Sequence, residues 1–395
     1  MAYTETTTKS YGSKLKDSLK GVLIGIVMIA VSPILLCWNE SNYVKTKAAI
    51  EEFSGSYKSI SDVASLSTEL NGKPVYLTGD CKSDERLTDP ELGITVSALK
   101  LERNAEMFQW KEIVTEKEEK QTGGSSKITK EYKYEKVWSE KIIDSNSFNQ
   151  NAVADYNSKN NVKIFNPAVM PVVSARFLVK KAYVGAYTLS TPLIEKISNE
   201  EPLNMGPEVL SGIKAELQPY AKVNKNIIFI GENPAAPQIG DTKINMQVIN
   251  FQALSVLGKL EGSVINPFIS KSNRSIARVE MGTIGSDLMI QNEQSENVMI
   301  TWILRLVGFL LMFFGISMLF GPISKLAEVL PFLSSIIGFG ANLIAFIIAF
   351  PVCLIIIAIA WIAVRPILAI SLLVIGIGGA GGLIYYKKKI AKKPA

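Results

Sequence analysis

The stretch TWILRLVGFLLMFFGISMLF, residues 301–320, is apolar apart from Arg305 in its first third. About 20 apolar residues in a helix cross a hydrocarbon core of ~30 Å, so this stretch predicts a transmembrane helix. A charged side chain inside such a helix normally faces an acidic partner, a water-filled cavity or the membrane surface, because lipid solvates charge poorly. The stretch therefore predicts a membrane protein in which Arg305 has an acidic or aqueous neighbour.

The chain contains three apolar regions that are long enough to cross a membrane. Gly21–Trp38 carries no charge, Val298–Phe320 carries only Arg305, and Ile336–Tyr386 carries only Arg365. The last region is too long for one crossing, and its Arg365-Pro366 pair would break a helix. Four spans are therefore expected, at residues 21–38, 298–320, 336–362 and 366–386.

Charge is distributed unevenly along the chain. Net charges of +2 for residues 1–38, −3 for 39–298 and +7 for 299–395 sum to the total of +6. Basic residues lie beyond the outer ends of the apolar regions, so the positive-inside rule predicts that both termini are cytoplasmic. The tails 1–20 and 387–395 and the loop 321–335 are then cytoplasmic, and residues 39–297 lie in the ER lumen or the periplasm.

Residues 39–297 are expected to form a large, mostly β domain with a few helices. Side chains in MFQWKE, residues 107–112, alternate between two faces, and a second alternating stretch follows the glycine loop at 123–126, which predicts a long hairpin. The stretch TPLIEKISNEEPL, residues 191–203, predicts a helix, and a subdomain break is expected near 150–165. The predicted fold class is a membrane α+β protein with four transmembrane helices.

The residue inventory argues against an enzyme. The chain has no histidine, the usual acid/base at neutral pH and the commonest transition-metal ligand, and none of its three cysteines forms a C-x-x-C pair. A G-x-G-x-x-G pattern at 376–381 lies inside a predicted span, where glycines favour helix packing over dinucleotide binding. The hairpin charges are mixed in sign, which disfavours nucleic-acid binding. We therefore predict no catalytic residue, no cofactor and no metal site.

Polar residues at the outward membrane boundary are the candidate site. Under the four-span topology Glu40 follows the first span, Arg305 lies ~10 Å into the second, and Arg365-Pro366 lies at the turn between the third and fourth. All of them belong to one leaflet, and Glu40 is the acid nearest to the outer end of the first span. The hypothesis is that Glu40 pairs with Arg305 or Arg365. The alternative is that each arginine simply extends to the membrane surface.

Two ordered blocks of the chain, CWNESNYVKT (37–46) and LTDPELGITVSALKLERNAEMFQWKE (87–112), carry a family resemblance. They are similar to the turn after the first span and to the most distinctive stretch of the LUMA family of nuclear-envelope and ER membrane proteins. Trp361 with Arg365-Pro366 is similar to a later W...RP pattern. The motif residues are Trp38, Asn39, Arg103, Glu106, Met107, Gln109, Trp110 and Trp361.

The resemblance implies four spans, cytoplasmic or nucleoplasmic termini and a large lumenal domain. It also implies a self-associating membrane organiser in contact with lipids and other membrane proteins, with emerin, lamins and SUN-domain proteins as partners in animals. The chain departs from the family at NESNY (39–43) and KIFNP (163–167). We favour a bacterial member, located in the inner membrane with a periplasmic domain.

The functional hypothesis is a non-enzymatic membrane scaffold whose outward domain self-associates and binds partners. An oligomeric channel, a transporter or a channel regulator is the alternative. A membrane-associated enzyme is less favoured.

Overall fold

The computed structural model describes residues 3–121, 123–224, 226–326 and 331–364. They form two compact units. Unit 1 takes its residues from Met1–Thr6, Ala49–Lys117 and Thr129–Glu293, and unit 2 from Thr7–Ala48, Glu118–Ile128 and Gln294–Ala395.

The helices of the described residues are α1 (Tyr11–Ser56), α2 (Gln150–Asn160), α3 (Thr191–Ile194), α4 (Ser286–Leu319), α5 (Gly321–Leu326) and α6 (Pro331–Val364). Three helical segments are long and apolar enough to cross a membrane: Tyr11–Ser56, Ser286–Leu319 and Phe339–Ile362. The first predicted span is the middle of a 46-residue helix, which extends beyond it at both ends. The fourth predicted span (366–386), the Arg365-Pro366 turn, the glycine pattern at 376–381 and the tail 387–395 lie outside the described residues.

The strands, in chain order, are β1 (Tyr3–Lys9), β2 (Lys58–Ile60), β3 (Pro74–Lys82), β4 (Leu87–Thr88), β5 (Thr95–Val96), β6 (Lys100–Lys120), β7 (Ser126–Ser139), β8 (Ala175–Leu178), β9 (Ala182–Val184), β10 (Tyr187–Leu189), β11 (Glu201–Pro202), β12 (Ala221–Asn224), β13 (Ile227–Ile230), β14 (Thr242–Ile249), β15 (Ala253–Glu261), β16 (Val264–Asn266), β17 (Phe268–Ile269), β18 (Ser275–Ile276) and β19 (Arg278–Met281).

Two sheets contain most of these strands. One has the order β1-β7-β6-β14-β13-β12, with β11 paired to β14 and β8 paired to β6. The other has the order β19-β15-β16-β10-β9-β3-β2, and β15 also pairs with β3, so that β15, β16, β10, β9 and β3 close on themselves. Closure leaves fewer open strand edges, which are a liability in an isolated sheet.

The core of unit 1 draws on both sheets. One cluster of buried side chains joins Leu77 of β3, Leu101 and Met107 of β6, Ile244 of β14 and Val256 of β15. Burial alternates along the first part of β6, as expected for a strand with one face against the core. The predicted hairpin is present as β6 and β7, and its turn uses two glycines with positive φ at 123 and 124.

The helix predicted over residues 191–203 is wrong beyond its first turn. The helix α3 ends at Ile194, Asn199 has a left-handed φ of 87°, and Glu201 pairs with Val248 of β14. Pairing with an existing strand therefore overrides the local helical pattern. The stretch at 150–165, for which the sequence suggests a subdomain break, contributes α2 to unit 1.

Gly93 lies in the turn between β4 and β5 and has a φ of +67°. The Gly93 N–H donates to the Asp89 carbonyl at 2.8 Å, which closes the turn. A Cβ at position 93 would lie 2.2 Å from the carbonyl oxygen of Gly212. The position therefore requires glycine both for its backbone conformation and for its packing.

Gly93→Ala is expected to lower the free energy of unfolding by about 2–4 kcal/mol. A left-handed backbone costs an L-residue roughly 1–2 kcal/mol, and the methyl group must also displace a backbone carbonyl. Gly72→Ala is the matched control, because φ is +79° there but a Cβ would meet no atom within 4 Å. Urea unfolding of the full chain in detergent, followed by tryptophan fluorescence, measures both variants. Equal losses would contradict the packing argument.

Candidate functional site

Glu40 and Arg305 form a two-pronged ion pair within unit 2. Arg305 Nε donates to Glu40 Oε1 at 2.7 Å, and Arg305 Nη2 donates to Glu40 Oε2 at 2.8 Å. The Glu40 carboxylate is fully buried, and the Arg305 side chain is 15% exposed. Paired N–H groups of a guanidinium match both oxygens of a carboxylate, which makes this geometry both strong and directional.

Two tryptophans complete the arrangement, which we call the boundary cluster: Glu40, Trp302, Arg305 and Trp361. Trp361 Nε1 donates a further hydrogen bond to Glu40 Oε2. The Arg305 guanidinium lies 4.8 Å from the ring centroid of Trp302 and 5.7 Å from that of Trp361. The electron-rich ring faces attract the cation. The boundary cluster therefore connects α1, α4 and α6.

Polar contacts along the α1–α4 interface fix the position of the cluster. Ser32 Oγ donates to the Gly308 carbonyl at 2.7 Å, and Asn39 Nδ2 donates to the Thr301 carbonyl at 3.1 Å. All four groups are inside or next to the apolar segments, where an unpaired polar group would have no water to bind. These bonds set the register between the two helices so that Glu40 reaches Arg305.

Glycines allow α1 and α4 to approach closely. A Cβ at Gly25 would lie 2.7 Å from the Gly315 carbonyl oxygen, and one at Gly315 would lie 2.9 Å from the Gly25 carbonyl oxygen. A Cβ at Gly308 would collide with the Leu36 side chain at 2.5 Å. Small residues at such contacts let membrane helices pack backbone to backbone. The glycines therefore place the polar groups of the two helices within bonding distance.

The structure brings together two of the boundary residues named from sequence, Glu40 and Arg305, and one motif residue, Trp361. Of the two partners suggested for Glu40, Arg305 occupies the pairing position, while Arg365 and Pro366 lie outside the described residues. Trp361, which the sequence analysis named only as a motif residue, is a direct hydrogen-bond donor to Glu40. The role of Trp302 was not predicted, although its spacing of three residues from Arg305 places both on one helix face.

Arg103, a motif residue of β6, forms a second buried ion pair in unit 1. Its Nη1 donates to both carboxylate oxygens of Asp89, at 2.5 and 2.7 Å, and its Nε donates to the Val173 carbonyl at 2.7 Å. Arg103 is 3% exposed and Asp89 is fully buried. The Asp89 carboxylate also accepts the backbone N–H of Leu92. The pair therefore fixes the β4–β5 turn to the sheet.

Gln109 and Asn166 hold a loop onto β6. Gln109 Nε2 donates to the Lys141 carbonyl at 3.0 Å, and its Oε1 accepts the Ile143 N–H at 2.8 Å. Asn166 exchanges two hydrogen bonds with the backbone of Trp110, at 2.7 and 2.8 Å, as a neighbouring strand would. Gln109 is fully buried, so this motif residue has a structural role here. The sequence analysis did not predict Asn166 as a site residue. The sequence signal that could have pointed to it is its position immediately before Pro167.

The remaining motif residues have simple environments. Glu106 pairs with Lys243 of β14 at 2.8 Å and is about one quarter exposed, whereas Met107 is fully buried in the core. Trp38 is 54% exposed on α1. Within the described residues these side chains support the sheet or lie on a helix surface.

The described residues contain no group of three His, Cys, Asp or Glu side chains that could hold a metal ion. Burial raises the pKa of the Cys81 thiol to about 12. A nucleophilic cysteine needs a thiolate near neutral pH, so Cys81 is unsuited to that chemistry. The geometry of the named residues is that of a structural site.

Glu40→Gln and Arg305→Gln are each expected to lower the free energy of unfolding by about 3–5 kcal/mol, because each leaves a buried partner unpaired. The double variant should lose at least about 1 kcal/mol less than the sum of the single losses. Equilibrium unfolding in detergent measures all three. The exposed pair Asp155 and Lys159, 2.7 Å apart on α2, is the control and should give additive losses within about 0.5 kcal/mol. Additive losses at the boundary cluster would contradict the pairing.

Arg103→Lys keeps the charge, but a single ammonium cannot reach Asp89 and also replace the hydrogen bond that Arg103 Nε donates to the Val173 carbonyl. The substitution is therefore expected to cost about 1.5–3 kcal/mol, the range for hydrogen bonds to charged groups. Arg176→Lys is the matched control, because Arg176 pairs with Glu102 at 3.0 Å but is 55% exposed. That substitution should cost less than about 1 kcal/mol. Urea midpoints of the two variants provide the comparison, and a larger loss at Arg176 would refute the argument.

Comparison with known proteins places this architecture in a family. The model of the family described as transmembrane protein 43 matches residues 107–366, more than half of the chain. The chain is 26% identical to rat transmembrane protein 43, covering 90% of this chain and 87% of the relative. It is 25% identical to the human protein, covering 96% and 93%, and 28% identical to a Drosophila melanogaster homologue, covering 96% and 98%.

No solved structure matches the chain. The family match confirms the resemblance to LUMA, which is the same family, and agrees with the apolar helices in indicating an integral membrane protein. The chain belongs to the transmembrane protein 43 family.

Proposed function

We propose that the protein is a non-enzymatic multipass membrane scaffold whose β-rich unit self-associates and binds partners. The boundary cluster is the observation that carries this proposal. Intramembrane charges often mark ion or proton pathways. Here the Glu40 carboxylate accepts three hydrogen bonds, two from Arg305 and one from Trp361, so its charge is used to hold three helices together.

The buried ion pairs of unit 1 also support the proposal of a non-enzymatic scaffold. Asp89 pairs with Arg103, and Lys100, which is 5% exposed, pairs with Glu200. The hydrogen bond from Lys100 lowers the pKa of Glu200 below its usual value. Stability from this pair is present above the ordinary carboxylate pKa and is lost as pH falls through the lowered one. These pairs stabilise the sheet from inside. The exposed surface of unit 1 is then available for partners.

We favour residues 162–173 as the surface for self-association. Phe165 is 56% exposed, Val169 is 74% exposed and Val173 is 52% exposed. Buried Ile164 and Asn166 anchor the same segment to the sheet, so the apolar side chains are held in place. Exposed apolar residues that are close in sequence, on a segment anchored to the sheet, are a candidate interaction surface. A second copy of the chain is the proposed occupant, because a two-fold dimer would bring the same apolar patch of both copies into contact.

The further partners that we propose are membrane lipids and other membrane proteins, with no nucleic acid. In a eukaryotic member the compartment would be the ER or inner nuclear membrane, and emerin, lamins and SUN-domain proteins would be candidate partners. In a bacterial member it would be the inner membrane, with a periplasmic domain. The mixed signs of the surface charges support proteins and lipids over nucleic acids as ligands.

Crosslinking in native membranes followed by mass spectrometry tests the scaffold. Wild type should give abundant self-links and a reproducible set of membrane-protein partners. Phe165→Ser combined with Val169→Ser should remove most self-links, because it removes the apolar contact. Arg305→Gln should weaken both self-links and partner links by loosening the helices.

Leu66→Ser is the matched control, since Leu66 is 48% exposed in unit 1 outside this segment, and it should leave the self-links unchanged. Wild-type membranes without self-links or protein partners would contradict the scaffold. Ion flux through liposomes that contain the purified protein would then support the channel alternative.

A further inference from the structure

The segment of unit 1 that carries Phe165 alternates between two faces. Ile164 and Asn166 are buried, whereas Lys163 and Phe165 are exposed and Pro167 is half-buried. The Lys163 ammonium lies 6.0 Å from the ring centroid of Phe165, so these two side chains share the outer face. Such alternation is typical of an extended chain. The outer face therefore carries a cation, an aromatic ring and a proline, in that order along the chain.

A cavity of about 400 Å³ lies beside the Pro167 end of this face. Gly240 lines the cavity, and a Cβ at Gly240 would lie only 3.3 Å from Pro167 Cγ. Tyr220, Glu232 and Asp241 also line the cavity. The outer face of the segment is therefore basic at one end and next to two carboxylates at the other.

The two carboxylates of the cavity have no cationic partner among the described residues. Asp241 Oδ2 accepts the Gln238 N–H at 2.7 Å, which orients the side chain but does not neutralise it. The Lys222 ammonium donates to the main-chain carbonyl of Glu232 and forms an ion pair with neither carboxylate. The Glu232 side chain is exposed. The cavity can therefore accept a cation from another chain.

A two-fold axis through Phe165 would bring the cation and the cavity together. When two copies of an extended segment pack antiparallel, the residue two positions before the centre lies opposite the residue two positions after it. Lys163 of one copy is then opposite Pro167 of the other, at the edge of the cavity. The flexible four-carbon stem of lysine carries its ammonium past the proline. Two-fold symmetry repeats this contact on the other side of the axis.

We propose that two copies of the chain associate through this antiparallel contact, in which Lys163 of each copy enters the cavity of the other beside Glu232 and Asp241. The inference rests on the self-association proposed above and identifies its contacts. A second copy is the occupant because one surface carries both the cation and the carboxylates that complement it. An apolar centre at Phe165 and a charged rim are also typical of protein interfaces.

Charge reversal in the full chain tests this contact, with self-links measured by crosslinking in native membranes. Lys163→Glu and Glu232→Lys should each lower the self-links about tenfold, because each places like charges at both ends of the interface. Two differently tagged chains, one with each substitution, should regain wild-type links to each other when expressed together, since both opposed pairs then have opposite signs. Lys73→Glu is the matched control, because Lys73 is exposed just before β3, and it should leave the self-links unchanged.

Single variants that link as wild type does would overturn the contact, and so would losses that the mixed pair does not recover. The variant Phe165→Ser with Val169→Ser separates this inference from the proposed function. If it loses its self-links while both charge variants keep theirs, self-association through the segment stands and the Lys163 contact is refuted. Wild-type membranes without self-links would refute the self-association itself.

A second measurement needs no reversal of charge. In a background with Cys37 changed to serine, a short bis-maleimide should link a chain with Lys163→Cys to a differently tagged chain with Glu232→Cys. Lys73→Cys in place of Lys163→Cys is the control and should give no such link. Absence of the link between the first two chains, although both thiols react fully with a monofunctional maleimide, would also overturn the contact.

Discussion

A buried carboxylate needs hydrogen-bond donors from the protein in place of water, and Glu40 shows how this demand organises unit 2. Its donors come from α4 and α6, while Glu40 itself is on α1. A rotation or a one-residue shift of any of the three helices would break at least one of these bonds to Glu40. The cost of an unpaired buried charge therefore selects one packing among the many that apolar surfaces alone would allow.

The same principle operates in the β-rich unit, where Asp89 and Arg103 connect a turn to a sheet strand. Hydrophobic burial supplies most of the stabilisation of such a core, but it is non-directional. Ion pairs and hydrogen bonds between buried polar groups restrict how the elements can pack, because their geometry tolerates little displacement. In both units, apolar contacts therefore supply most of the stabilisation, and buried ion pairs fix the relative positions of the elements that pack together.

Much of this arrangement could be predicted from the sequence, and the failures have physical causes. Apolar length predicts the spans, and Glu40 was identified because few acids lie at that boundary. The choice of Arg305 and the contribution of Trp361 depend on helix packing, which local patterns do not encode. The strand β1 was missed because YTETTTK lacks apolar alternation. The helix predicted at 191–203 was displaced by pairing with β14, a contact distant in sequence.

The burial of Cys81 has a consequence for where the fold can work. It is the cysteine of the β-rich unit, it is 2% exposed, and burial raises the pKa of its thiol to about 12. Oxidants and disulfide partners react with accessible thiolates, and this sulfur is neither accessible nor ionised. The cysteine chemistry of the β-rich unit therefore does not change with the redox potential of its surroundings. One architecture can serve in an oxidising lumen, an oxidising periplasm or a reducing cytosol without any change in its covalent structure.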